Sequence, residues 1–160
     1  MAKKKKENRW GEIYGGHAFI IPSDLIRHPN FTRLSPAAHK LLMDVARQYT
    51  GYNNGYLCAS WALMKDSGWN SPTTLRAAML ELEHYKILTR TKQGGRNQAN
   101  LHALTWRRID EPRGSKRVPL DVFPTTAPSN SWLEEQPEFI KASGNRKMSN
   151  RHLSVVKSAA

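Results

Sequence analysis

The stretch from Ser60 to Lys86 restricts the fold more than any other part of the chain, because it reads as two helices joined by a short glycine turn. Ser60 offers a hydroxyl to cap the first helix, and Leu63 and Met64 give that helix an apolar face. Gly68 ends it, since glycine enters the left-handed conformation at a helix C-terminus without steric cost. Asn70 and Ser71 then offer side-chain oxygens to the free N–H groups of a second helix, and Pro72 suits its first position. In that helix Leu75, Ala78, Met79, Leu82 and Tyr85 recur at spacings of three and four and make an apolar face; Thr73, Arg76, Ala77 and His84 lie opposite. A helix, a tight turn and a second helix with a polar N-terminal end is how a helix-turn-helix offers a recognition helix to the DNA major groove. An ordinary helical hairpin in an all-α domain has the same local pattern, so the flanking chain must decide.

Upstream, Ser35 as cap and Pro36 at the first position begin a helix. Ala38, Leu41, Leu42, Val45, Ala46 and Tyr49 form its amphipathic stripe, and Gly51 ends it. Tyr52-Asn53-Asn54-Gly55 predicts a turn, and Tyr56-Leu57-Cys58 is long enough for one short strand. Before this helix, Ala18-Phe19-Ile20-Ile21 reads as an extended segment closed by Pro22. Ser23 to Ile26 reads as a single helical turn capped by Ser23 and ended before Pro29. Downstream, Ile87 to Lys92 and Leu101 to Trp106 alternate apolar and polar residues around the glycine-bearing loop Gln93–Asn100, which predicts a β-hairpin carrying Arg90, Lys92 and Arg96. The order is helix, strand, helix, turn, helix, hairpin. It predicts an α+β fold, a winged helix-turn-helix of three helices plus a small antiparallel wing sheet closed by Tyr56–Cys58. The expected core is Leu41, Leu42, Val45, Tyr49, Leu57, Leu63, Met64, Trp69, Leu75, Met79, Leu82, Leu88, Leu104 and Trp106.

The chain of 160 residues has room for one domain with tails, or at most two small domains. A mean hydropathy of -0.65 implies that part of it does not pack. Residues 1–16, with Lys3 to Lys6 and Arg9, are expected to be a basic arm; it either follows phosphates or a minor groove, or is a solvated tail. Residues 17–110 hold the winged domain. Residues 111–160, with Pro112, Pro119, Pro124, Pro128 and Pro137 and no periodic stripe, read as a largely disordered tail. Its apolar pairs Trp132-Leu133 and Phe139-Ile140 either dock on the domain or fold on a protein partner.

A net charge of +12 and a pI near 10.1 favour a polyanionic partner, either nucleic acid or an anionic membrane surface. No apolar run approaches the roughly 18 residues of a membrane span. The N-terminal lysines are not followed by the apolar segment of a secretory signal. Cys58, the only cysteine, makes neither an internal disulfide nor a cysteine zinc site. It is expected as a small buried apolar residue in a reducing cytosol. The glycine pair Gly94-Gly95 lacks the lysine-serine or lysine-threonine ending of a phosphate loop. Neither H-E-x-x-H nor G-x-S-x-G occurs, and no histidine pair has zinc-ligand spacing. No catalytic residue, metal or cofactor is therefore expected, and the chain reads as a binding protein.

For a double-stranded DNA ligand, Asn70, Ser71, Thr73, Thr74 and Arg76 occupy the recognition end of the second helix, where free N–H groups suit a phosphate and arginine suits a guanine edge. Arg90, Lys92, Arg96 and Asn97 belong to the hairpin and would mostly meet phosphates. Arg90 and Lys92 also fit a plain solvated strand face. Glu81 and Glu83 have the wrong sign for DNA, so that half of the helix is expected to turn away. Trp69 is expected to plug the core. Leu80 points outward by spacing, and packing on the wing, a thymine methyl contact and a dimer surface all fit it.

The runs LSPAAHKLLMDVARQYTGYNNGYL and SGWNSPTTLRAAMLELEHYKILTRTKQGGRNQANLHALTW resemble the small winged helix-turn-helix proteins of proteobacterial phages and prophages. They are also similar to the N-terminal DNA-binding domains of phage and plasmid replication initiators. The resemblance spans Phe19 to Trp106. It implies a sequence-specific regulator of phage or mobile-element origin, cytoplasmic in a bacterial host, that acts on double-stranded DNA by occupancy and is able to pair as a homodimer on half-sites. Two other roles fit the same residues: an origin-binding, replication-associated protein that recruits others through its tail, and a winged-helix protein–protein module such as a phage inhibitor of a host factor.

Overall fold

Two helices with strong start signals organise the core, and each begins as its sequence dictates. Numbered along the chain, the elements are α1 (Ser23–Arg27), α2 (Pro29–Thr32), α3 (Pro36–Ala46), β1 (Leu57–Cys58), α4 (Trp61–Met64), α5 (Pro72–His84), β2 (Leu88–Lys92) and β3 (Leu101–Leu104). The computed structural model describes residues 18–111 and 118–141. The expected basic arm, residues 1–16, and the tail from 142 onward lie outside the described residues.

The Ser35 hydroxyl accepts a hydrogen bond from the Ala38 N–H at the start of α3, and the Ser71 hydroxyl accepts one from Thr74 at the start of α5. Each cap satisfies a donor that the helix leaves free. The stripe Ala38, Leu41, Leu42, Val45 and Ala46 packs against Leu75, Ala78 and Leu82, all buried. Glu81 of α5 is buried too, and its carboxylate accepts from the Ser35 N–H at 2.6 Å and the Ser35 hydroxyl at 2.7 Å. A negative group at the positive end of α3 is favourable, so this acid locks one helix to the start of the other.

Gly68 has φ 78, the left-handed conformation expected of it. The helix before it is shorter than the sequence suggests. α4 is one turn, followed by a 3-10 turn at Lys65–Ser67. The Ser60 hydroxyl makes no capping bond; instead the Ser60 N–H donates to the Cys58 sulfur at 3.4 Å. So short a helix turns only Met64 inward, and Leu63, expected in the core, is 42% exposed. Cys58 is half-buried rather than buried. At the chain's start Pro22, not Ser23, stands at the N-cap of α1. α2 restarts after His28 with Pro29 at its first position, an element the sequence reading lacked.

The three strands form one antiparallel sheet in the order β1-β3-β2, with Leu57 opposite His102 and Leu88 opposite Leu104. Between Arg90 and Lys92 the register shifts, so Thr91 is an extra residue on β2. Asn54 ties the turn before β1 to the end of β3. Its buried amide accepts from the Leu104 N–H at 2.8 Å and donates to the carbonyls of Leu104 and Arg108 at 3.0 and 2.8 Å. The chain is thus α+β, with helices packed on a small antiparallel sheet.

Residues 118–141 correct the expectation of a disordered tail for that segment. They run across the domain as a strap. Trp132, in a 3-10 turn at Ser131–Leu133, is 5% exposed and belongs to the core. The buried Asn30 amide donates to the carbonyls of Trp132 and Glu134 at 2.8 and 2.9 Å and accepts from the Gln136 N–H at 2.8 Å. Phe139 donates its N–H to the Tyr85 hydroxyl, and Asp121 donates its N–H to the Thr91 carbonyl along the outer edge of β2. A chain rich in proline and serine has no periodic stripe to bury, but single anchors and side chain-to-backbone bonds order it without one. Among the described residues no helix is long and apolar enough to cross a membrane.

Candidate nucleic-acid interface

The N-terminal half of α5 is largely open to solvent. Asn70, Thr73 and Arg76 are exposed, and none has a hydrogen bond or ion pair among the described residues. Ser71 and Thr74 do not join them. The Ser71 hydroxyl is committed to the Thr74 N–H at 3.2 Å. Thr74 lies on the other flank of α5, where it lines a hollow with Arg33, Ala37 and Phe139. His84, read as outward, is held by the strap through the Pro137 carbonyl at 2.7 Å.

The hairpin between β2 and β3 closes on itself by two bonds between Gly95 and Gln98, at 3.0 and 3.1 Å, leaving Arg96 and Asn97 as its exposed tip. Asn97 takes φ 64, which asparagine tolerates better than most residues. Gly94 is required by the hairpin itself. A Cβ there would stand 2.5 Å from the Gln98 carbonyl oxygen, so the missing side chain serves the hairpin's own closure. Arg96 makes no ion pair among the described residues.

Arg90 and Lys92 depart from the reading that made them phosphate contacts. Arg90 donates from Nη2 to both oxygens of Glu83 at 2.9 Å and from Nε at 3.1 Å. Lys92, its side chain 14% exposed, donates to the Pro119 carbonyl at 2.8 Å and pairs with Asp121 at 3.6 Å. The strap residues that claim Lys92 lie 27 and 29 positions away in sequence, so no local pattern announces the pairing. Glu83 is the residue that sequence reasoning misjudged. It does not simply turn away: it sits under the hairpin and also accepts from Nε2 of the buried His102 at 3.0 Å. Burial raises its carboxyl, but the hydrogen bonds from His102 and Arg90 outweigh that and hold it below the ordinary glutamate value. Glu83 is therefore ionised and paired.

Between α5 and the hairpin lies a groove of about 440 Å³, lined by Leu75, Arg76, Met79 and Leu80 of α5, Trp61 of α4, and Arg90, Gln93 and Asn100 of the hairpin. Trp69 sits in the core as expected, 6% exposed, and donates its indole N–H to Asp44 at 2.8 Å. Among the described residues no group of three His, Cys, Asp or Glu side chains comes together as a metal site. No family model, curated protein or solved structure matches the chain.

Proposed function

We propose that the chain is a sequence-specific double-stranded DNA-binding protein of winged helix-turn-helix type, a regulator of phage or mobile-element origin that acts by occupying its site. In this reading α5 enters the major groove and the hairpin lies against the backbone as the wing. The observation that carries it is that Arg76 on α5 and Arg96 at the hairpin tip are both exposed and without an ion pair among the described residues, while the Glu83 carboxylate of α5 is already held by Arg90 and His102. Two exposed cations without an opposing acid suit phosphates and guanine edges. The overall charge of +12 acts in the same direction. Phage origin rests on the resemblance of Phe19 to Trp106 alone.

The test is a mobility-shift titration of the full chain against random duplex DNA at several salt concentrations, followed by selection of a preferred site. Binding at micromolar concentration or tighter, weakening steeply with salt, is expected. Arg76→Ala should cost about 1–3 kcal/mol on the selected site and relax its sequence preference. Absence of salt-sensitive duplex binding would overturn the proposal in favour of a protein–protein module.

A further inference from the structure

The groove beside α5 contains a feature that charge alone does not explain. Thr73, Arg76 and Leu80 fall on one exposed stripe of the helix, at i, i+3 and i+7. The stripe is about 10 Å long at 1.5 Å per residue, close to the rise of three base pairs. Its middle is a cation and its far end is apolar: Leu80 is 42% exposed, although it borders a groove whose walls include Met79 and Trp61, the latter 38% exposed. Packing on the hairpin would have buried Leu80, and it does not. Large apolar side chains left open beside the unpaired Arg76 fit a ligand that is anionic outside and apolar at the contacted point. In the major groove that description fits thymine, whose C5-methyl group projects from a base edge flanked by phosphates.

We propose that Leu80, with Trp61 in the same groove, reads thymine methyl groups one α-helical turn from the base contacted by Arg76. This rests on the DNA-binding reading above and adds a base preference to it. A site selected by the full chain should then carry thymine about two base pairs from the position sensitive to Arg76→Ala, since four helical residues rise about 6 Å.

The experiment uses the duplex selected from a random library, with each thymine replaced in turn by deoxyuridine, which removes only the methyl group. At one or two positions the wild-type chain should bind the uracil duplex about fourfold more weakly per methyl lost, the worth of one buried methylene-sized group. In Leu80→Ala that difference should vanish, while Arg76→Ala should keep it. A uracil effect of equal size in wild type and Leu80→Ala, or none at any position despite tight binding, would overturn the inference and leave the DNA-binding reading standing. Failure to bind any duplex would remove both, and is visible before a single thymine is replaced. Near-native circular dichroism of Leu80→Ala, an exposed position, separates a lost contact from a lost fold.

Discussion

Arg90 and Glu83 face each other across the junction of β2 and α5, held by three hydrogen bonds of 2.9 to 3.1 Å. The pair does two things at once. It ties the hairpin to the helix, and it neutralises a carboxylate of α5. Arg90 and Arg96, two arginines of one hairpin, therefore have different jobs. Arg96→Ala should lower duplex affinity evenly over sequences and reduce the salt slope by about one, with no change in thermal stability. Arg90→Ala should leave the slope nearly unchanged but cost about 1 kcal/mol of stability, a modest figure because the guanidinium is partly solvated. Salt-dependent titrations and thermal melts of the two variants, side by side, check the division.

Acid should weaken the fold through the same carboxylate. Burial raises the carboxyls of Glu83 and Asp44, but hydrogen bonds from His102 and Arg90, and from Lys40 and Trp69, bring both below their ordinary values of 4.5 and 3.8. A group whose pKa is depressed by folding stabilises above its unfolded value and loses that contribution as pH falls through the folded one. The urea midpoint, followed by tryptophan fluorescence, should be flat from about pH 7 to about pH 5 and decline below about pH 4.5. Glu83→Gln should have a lower plateau and a shallower decline.

Trp132 is the strap's anchor in the core, so Trp132→Ala should destabilise by about 3–5 kcal/mol, as truncation of a buried aromatic does. Ending the chain before residue 118 should be at least as damaging, because it also strips Asn30 of all three backbone partners. Circular dichroism melts decide this: a truncated chain that melts like the full one would mean the strap contributes nothing.

At the hairpin tip Gly94→Ala should cost roughly 1–3 kcal/mol, since the new methyl group meets backbone rather than a side chain that can swing aside. Gly95→Ala, with open space at the same atom, should be close to neutral. Thermal melts of the two variants read the contrast directly.

The parts of this fold legible in sequence are those written in local signals. The α3 stripe, the caps at Ser35 and Ser71, the left-handed Gly68 and the alternation of β2 and β3 all depend on residues within a few positions of one another. What escaped depends on distance. The docking of 118–141 runs through Asn30, whose partners lie 102 to 106 positions away. The fates of Arg90 and Lys92 were set by a bulge at Thr91 and by Asp121 and Glu83, none of which alters the alternating pattern that drew attention to them. For the candidate site, Asn70, Thr73, Arg76, Arg96 and Asn97 stand open as a cluster of two surfaces, whereas Ser71, Thr74, Arg90 and Lys92 are occupied within the protein.

Asn30 and Trp132 meet late in the life of each molecule. During synthesis Asn30 precedes its partners by 102 to 106 residues, so the slot that its amide fills stays open until residues 132–136 have been made. Such sequence-distant closure is slow relative to helix formation, so the newborn domain passes through a stage with its apolar floor uncovered. Temperature and chaperone supply during synthesis should therefore govern its yield more than they govern the stability of the finished protein.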